Sequence, residues 1–122
     1  MKINKRVLSI CLAVMLVAAM AIPAAAQTIV MGREYCGIGY GTSDTCNSNS
    51  YHCVIEVWDG QTTVRTGVII YGSGGQYLGT NPGSAQVDMS VTSGSKNDTI
   101  GHIECTHYVD GNWASWESVQ AG

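Results

Sequence analysis

Basic residues are scarce in this chain beyond its first 26 positions. Arg33, Arg65 and Lys96 stand there against nine acidic residues, because the other three of the six basic residues lie within the first six positions. Nucleic acids and anionic membranes are bound by clustered lysine and arginine. No later apolar stretch is long enough to span a bilayer. We therefore expect no nucleic acid and no membrane among the partners.

Several catalytic and ligand-binding motifs are also absent. No C-x-x-C occurs, which removes the main sign of a zinc ribbon or a thioredoxin-type site, and no G-x-S-x-G nucleophile elbow occurs. The glycines at 72–75 are not part of the Gly-Lys-Ser/Thr signature of a phosphate-binding loop. A serine could still meet His102 or His107 in the folded chain, but no local signature indicates it. We expect no cofactor, no metal site and no enzymatic activity.

The first 26 residues have the pattern of a secretory signal peptide. Three basic residues within the first six positions precede an apolar run at 7–22, and the stretch ends in alanines before Gln27. The run is short for a membrane span and has no basic stop-transfer cluster behind it. Its alanine-rich end is typical of bacterial leaders. We predict a secreted, extracellular protein with one domain at residues 27–122.

An even number of cysteines lies in that domain, which in an exported chain indicates two disulfides. They are Cys36, Cys46, Cys53 and Cys105. Three pairings are possible, and the sequence alone does not select one. We favour Cys36–Cys46, which would close a short loop rich in Gly, Ser and Asn, and Cys53–Cys105, which would join two predicted strands.

Residues 51–71 are predicted to form a β-hairpin around Asp59-Gly60. This dipeptide favours a two-residue turn in which both positions adopt positive φ. The resulting register sets Ile55 opposite Val64. It collects apolar side chains on one face, at Tyr51, Cys53, Ile55, Val57, Val64 and Val68, and places His52, Glu56, Gln61 and Arg65 on the other.

Residues 85–119 are predicted to form a second group of strands. The first strand, 85–92, alternates apolar and polar residues, so that Ala85, Val87, Met89 and Val91 are expected to face inward. The polar residues between them, Gln86, Asp88 and Ser90, are then expected to face outward.

A second Asp-Gly turn, at 110–111, would place Tyr108 opposite Trp113 on one face and Cys105 opposite Trp116 on the other. Trp116 is therefore expected in the core, over Cys105, where a large apolar area is most useful to a small domain. A single bulge near the turn would exchange the faces of the two tryptophans.

The remaining segments complete an all-β architecture. All 15 glycines lie beyond position 26, and long amphipathic helical periodicity is absent. The segment 27–50 is expected to form a short strand and a disulfide-tied loop. The glycine-rich segment 72–84, with a type II turn at Asn81-Pro82-Gly83, is expected to cross between sheets. The sequence predicts a small antiparallel β-sandwich, or an open barrel, of five to seven short strands stapled by disulfides.

Exposed aromatic side chains are the main sign of a binding surface. Tyr108 and Trp113 form a cross-strand pair on the outer side of the second hairpin, Trp58 lies beside the first turn, and Tyr71 ends a strand. Flat aromatic rings with polar neighbours stack on sugar rings or anchor protein interfaces. The alternative is that these rings only hold the strands together.

Three polar residues, His102, Glu104 and Glu117, fall on one outer face in this register. Two glutamates directly opposite each other are destabilising unless His102 as an imidazolium, a divalent cation or solvent compensates, or the register is slipped. His107, beside Cys105, is expected to be a hydrogen-bonded histidine at the edge of the core.

Three functions are compatible with these features. We favour a secreted, non-catalytic binding module that recognises an extracellular glycan or protein through its exposed aromatic face. The first alternative is a secreted antagonist, either a bacteriocin-like toxin or an inhibitor of an extracellular enzyme. The second is an extracellular structural component that assembles with itself through an open sheet edge.

Overall fold

The computed structural model describes residues 26–122. The predicted signal peptide, apart from Ala26, therefore lies outside the described residues. Within this range every regular element is a strand, and no helix suited to crossing a membrane occurs there. The all-β prediction is confirmed, although the described strands number nine and not five to seven. They are β1 (Ala26–Tyr35), β2 (Ile38–Cys46), β3 (Ser50–Glu56), β4 (Thr63–Gly72), β5 (Tyr77–Asn81), β6 (Gln86–Val87), β7 (Met89–Ser95), β8 (Ile100–Val109) and β9 (Asn112–Gln120).

Two antiparallel sheets share these strands. The first sheet has the order β1-β2-β3-β7, and the second has the order β5-β4-β8-β9, with β6 paired to β4. Their inward side chains form two apolar clusters, one that includes Ile103 and Val68 and one that includes Ile55 and Val109. Each sheet has an apolar face that must be removed from water, and packing the two faces together achieves this for both.

The strands β3 and β4 belong to different sheets, so the predicted hairpin at 51–71 is wrong. β3 pairs with β2 and β7, whereas β4 pairs with β5, β6 and β8. The Asp59 carboxylate accepts hydrogen bonds from the backbone N–H groups of Gln61 and Thr62, at 2.9 and 2.8 Å. A bend capped by this side chain therefore replaces the two-residue turn.

The predicted inward face of these two strands is nevertheless confirmed. All six of its apolar residues are buried: Tyr51, Cys53, Ile55, Val57, Val64 and Val68. Alternation along a strand sets which side chains share a face, and it does so whichever sheet the strand joins. Glu56, on the opposite face of β3, is buried as well.

Asp88 marks the point at which the chain passes from the second sheet back to the first. It has φ 71 and separates β6, which pairs with β4, from β7, which pairs with β3. The alternation predicted for 85–92 is opposite to the observed one on both sides of this break. Ser90 and Thr92 face the core, whereas Val87 and Val91 are exposed. The inward positions predicted for Val87 and Val91 are therefore wrong.

Asp88 also connects the two segments that cross between the sheets, one from β3 to β4 and the other from β6 to β7. Its carbonyl accepts a hydrogen bond from Val57 N–H at 2.7 Å, and its own N–H donates to the carbonyl of Thr62 at 3.0 Å. Its carboxylate accepts from Gly60 N–H at 2.9 Å. The segment that leaves β3 is therefore held against the segment that enters β7.

The glycine-rich segment 72–84 stays within the second sheet, so its predicted crossing between sheets is wrong. Gly72 N–H donates to the carbonyl of Gln76, which closes a hairpin between β4 and β5, and the part after Asn81 leads to β6, which also pairs with β4. Gly83 has φ 72, the positive value that the predicted type II turn requires at its third residue. A Cβ at Gly83 would collide with the backbone oxygen of Thr66.

The four cysteines within residues 26–122 are free thiols, so neither predicted disulfide is present there. Cys36 is exposed in the turn after β1, and Cys46 is buried at the far end of β2. A strand of that length separates them by roughly 27 Å, far more than the 7 Å or so that a disulfide can span between Cα atoms. The pairing Cys36–Cys46 is therefore wrong, and the segment 27–50 is a long hairpin, not a tied loop.

Cys53 and Cys105 face each other from the two sheets. Their Sγ atoms lie 2.8 Å apart, and both residues are fully buried. The pKa of the Cys105 thiol is raised by its hydrogen bond to Cys53, by burial and by the nearby Asp44 carboxylate. The predicted partners therefore meet at the centre of the sandwich, with the thiols protonated.

Candidate binding surface

The turn between β8 and β9 has the predicted two-residue form. Asp110 and Gly111 have φ 54 and 78, as this kind of hairpin turn requires at both positions. Tyr108 consequently lies opposite Trp113. That part of the predicted register is confirmed.

A β-bulge then changes the direction of the later side chains in β9. The register shifts between His107 and Tyr108, so that His107 lies opposite Ser115 and Ala114 is the extra residue. One additional residue exchanges the faces of every position that follows. Trp116 therefore lies opposite Thr106 and is 50% exposed.

The predicted core position of Trp116 is thus wrong. Cys105 lies opposite Glu117 instead, and the residue of β9 in the apolar cluster that contains both thiols is Val119. Trp116 joins the face that carries Trp113, and both tryptophans are exposed.

We call the side of β4, β8 and β9 that faces away from the core the outer face. Its side chains form four rows, because residues opposite each other in neighbouring strands point to the same side. From the Asp110 turn onward, the rows are Arg65–Tyr108–Trp113, Gly67–Thr106–Trp116, Ile69–Glu104–Ser118 and Tyr71–His102–Gln120.

The first two rows hold a cluster of three aromatic residues, Tyr108, Trp113 and Trp116, which we call the first aromatic cluster. The Arg65 guanidinium lies 3.9 Å from the centroid of the Tyr108 ring and donates a hydrogen bond to the Pro82 carbonyl at 2.6 Å. Stacking by arginine holds the tyrosine ring in place. The two tryptophans present flat surfaces to solvent beside it.

The four predicted binding residues do not all lie together. Tyr108 and Trp113 share the first row, and Tyr71 lies in the fourth row of the same face. Trp58 is 44% exposed but lies in the connection between β3 and β4, outside the rows. The outer face therefore contains three of the four, together with Trp116.

Of the polar group His102, Glu104 and Glu117, two members remain together. His102 Nε2 lies 3.6 Å from Glu104 Oε2 on the outer face. The bulge turns Glu117 toward the interior, where it forms an ion pair with Arg33 of β1, and both side chains are largely buried. The predicted opposition of Glu104 and Glu117 is wrong, because Ser118 lies opposite Glu104.

A second polar group lies inside the sandwich. His107 Nε2 is 2.8 Å from Asp44 Oδ2, and His107 Nδ1 is 3.0 Å from the Ser115 hydroxyl. The Nδ1 contact is a hydrogen bond, whereas Nε2 and the carboxylate lie at ion-pair distance without one. His107 is fully buried, so the predicted hydrogen-bonded histidine is confirmed, although it lies within the core rather than at its edge.

This group contains the residue types of a serine hydrolase but not their arrangement. In such enzymes the carboxylate contacts Nδ1 and the serine contacts Nε2, whereas the two partners are exchanged here. Asp44 and His107 are inaccessible, and Ser115 is 6% exposed. The arrangement places an ion-pair contact and one hydrogen bond between the sheets, but it does not present a nucleophile to a substrate.

Asp44, Cys53 and Cys105 are the described residues that come nearest to a metal-ligand group, since their ligand atoms lie within 4.8 Å of one another. Two sulfurs on one tetrahedral zinc lie roughly 3.8 Å apart, given bonds of about 2.3 Å. The sulfurs here are 2.8 Å apart. They would have to separate to hold a metal, and their approach is closer to that of a disulfide pair.

Comparison of the chain with protein-family models, with curated proteins and with solved structures gives no match.

Proposed function

We propose that the protein is a secreted, non-catalytic binding module that recognises an extracellular glycan through the outer face. The observation that carries the proposal is the first aromatic cluster. Trp113 and Trp116 are 57% and 50% exposed, on the same face of one strand, beside Tyr108. A large aromatic surface exposed to water is unfavourable, and a ligand ring stacked on it removes that surface from water.

The distribution of polar residues favours a glycan over a protein partner. A stable protein interface has an apolar centre of a few hundred Å² and a polar rim. On the outer face the two kinds of side chain are interspersed, because Thr106, Glu104 and Ser118 share the two middle rows with Ile69 and Trp116, and aromatic residues also occupy the rows at both ends. Hydroxyl and carboxylate groups between aromatic rings suit the hydroxyl-bearing edges and apolar faces of sugar rings.

A binding role without catalysis is supported by the position of the Asp44–His107–Ser115 group. Its members face the core and not the outer face. The outer face carries Glu104 as its carboxylate and His102 as its imidazole, which lie in contact with each other. Two carboxylates flanking a bond, as in most glycosidases, are not assembled there.

The disulfide Cys53–Cys105 is part of the same proposal. Export would place the chain in an oxidising compartment, where the two thiols, already in contact between β3 and β8, lose two hydrogens to an oxidant and form one bond. This bond would hold the second sheet, and with it the outer face, against the first sheet.

The proposal is tested with a glycan array and with parallel pull-downs from extracellular protein extracts, using the purified protein. We expect binding to a subset of glycans, and its loss in Trp113→Ala and Trp116→Ala. Trp58→Ala is the matched control, since it removes a tryptophan of similar exposure from outside the rows and should leave binding unchanged.

Two results would overturn this assignment. If Trp58→Ala reduces binding as much as Trp113→Ala does, the site is not the outer face. If no glycan binds and a protein is retained through Trp113, the ligand class is wrong and the outer face is a protein interface.

A further inference from the structure

At the far end of the outer face, Tyr71 and His102 form a second group of aromatic rings with Tyr77 of the neighbouring strand β5. We call these three residues the second aromatic cluster. Tyr71 and His102 stack with ring centroids 4.7 Å apart and planes inclined by 9°. Tyr77 of β5 contacts Tyr71 edge to face at 6.4 Å. Its hydroxyl lies 2.8 Å from that of Thr80, and the residue is 63% exposed.

The two clusters lie at opposite ends of β8. Tyr108 belongs to the first row and His102 to the fourth, and six residues of extended strand span about 20 Å. Between Tyr108 and His102 lie the short residues Gly67, Thr106 and Ser118, together with Ile69 and Glu104, and Trp116 of the first aromatic cluster lies on the β9 side. The side chains of these short residues extend less far from the sheet than a tryptophan or tyrosine ring does, so a long ligand can lie across them.

Charge on the outer face favours a neutral ligand. Arg65 is the one Lys or Arg in the four rows, and its guanidinium is already engaged with the Tyr108 ring and the Pro82 carbonyl. Glu104 places a carboxylate in the third row. A polyanion would meet this carboxylate on a chain that is acidic beyond its first 26 residues, without a free cation to compensate.

We propose that the outer face binds a neutral, linear oligosaccharide that lies along β8, with sugar rings on both aromatic clusters. The inference rests on the proposed function and adds a ligand class and a second subsite. The first aromatic cluster binds one end of the oligosaccharide, the second binds the other end, and Thr106, Glu104 and Ser118 hydrogen-bond the hydroxyl groups between. A single terminal sugar would use only one cluster.

The test is a titration series with neutral oligosaccharides of increasing length, from disaccharide to octasaccharide, prepared from β-glucan, xylan, mannan and chitin. Affinity should rise by roughly three- to tenfold once the chain is long enough to reach the second aromatic cluster. Tyr77→Ala should remove that gain and leave disaccharide binding unchanged. Trp113→Ala should weaken binding at every length.

A melting curve serves as the folding control, since Tyr77 is mostly exposed and its truncation should leave the melting temperature unchanged. Equal affinity at all lengths, or an equal effect of Tyr77→Ala on short and long chains, overturns the second subsite while the proposed function stands. Tighter binding of polygalacturonate, an anionic polymer, overturns the preference for a neutral ligand. Absence of binding to every glycan and oligosaccharide overturns the proposed function itself.

Discussion

Cys53 and Cys105 bring their Sγ atoms to within 2.8 Å of each other across the two sheets. We expect protein isolated under oxidising conditions to contain one disulfide between them. Cys53→Ala combined with Cys105→Ala should lower the free energy of unfolding by about 2–4 kcal/mol, because the bond constrains the unfolded chain. Peptide mapping by mass spectrometry and denaturant unfolding measure the two effects. A bond from Cys36 to Cys46 would contradict the structure.

The two remaining cysteines should differ in reactivity. Burial, together with Cys53, raises the pKa of Cys46 to about 11, and the thiolate is the reactive form. Cys36 is exposed in the turn after β1. Iodoacetamide at neutral pH should therefore modify Cys36 in the folded protein and leave Cys46 intact until denaturant is added. Equal labelling of both residues in the native protein would show that the end of β2 is open to solvent.

Truncation of Trp116 tests the bulge in β9. Because this side chain is half exposed on the outer face, Trp116→Ala should change the free energy of unfolding by no more than about 0.5 kcal/mol. Truncation of a tryptophan that lies in the core would lower the free energy of unfolding by about 3–5 kcal/mol. Ile103→Ala is the control, since Ile103 is fully buried and should cost about 2–5 kcal/mol. A large loss of unfolding free energy in Trp116→Ala would show that the Trp116 ring lies in the core.

Removing either member of the Asp44–His107 pair should be strongly destabilising. Both side chains are fully buried with Oδ2 and Nε2 2.8 Å apart, and a buried partner left alone costs about 3–5 kcal/mol. The double variant Asp44→Ala, His107→Ala should lose less than the sum of the two single losses. Ser115→Ala, which removes one hydrogen bond, should cost about 1 kcal/mol. Additive losses in the double variant would mean that the two groups do not interact.

The contribution of Asp59 to the free energy of unfolding should depend on pH. Burial acts to raise the pKa of its carboxyl, but hydrogen bonds from the hydroxyl and N–H of Thr62 and from Gln61 N–H outweigh it and lower the pKa. A carboxyl with a lowered folded pKa stabilises the fold above its unfolded pKa of about 3.9 and loses that contribution as pH falls further.

Asp59→Asn should therefore be less stable than the parent at neutral pH, by no more than about 0.5–1 kcal/mol because Asp59 is exposed and solvent screens its charge. The difference should shrink below about pH 4. Denaturant unfolding between pH 2 and pH 7, values chosen to bracket the titration of a carboxyl, measures it. A difference that is constant across this range would exclude the charge as its cause. Asp98→Asn, in the exposed turn before β8, is the control.

The inward face of β3 and of β4 was predictable, because it depends on alternation alone. The same alternation holds for Ile55 and Val64 whether their strands pair with each other or with different sheets. The pairing was not predictable, since Asp59 can start a two-residue turn or cap a bend with its side chain, and the sequence is the same for both. For the second Asp-Gly, at 110–111, the backbone takes the two-residue form.

The candidate site was predictable where it depends on that turn and not where it depends on the bulge. Tyr108 and Trp113 follow directly from the turn at Asp110. Trp116 and Glu117 depend on one extra residue at Ala114, for which the local sequence carries no signal. Asp44 lies in a strand with few apolar residues, and its partner His107 becomes evident only when the two sheets are packed together.

The hydrogen bonds around Asp88 affect how this end of the molecule can open. Val57, Gly60 and Thr62 on one crossing all bond to this one residue on the other. Neither crossing can fray alone, because separation of the sheets there must break three bonds together and expose buried Val57. Amide protons along both crossings should therefore exchange with solvent as one cooperative unit, and the sandwich should begin to unfold from its other end.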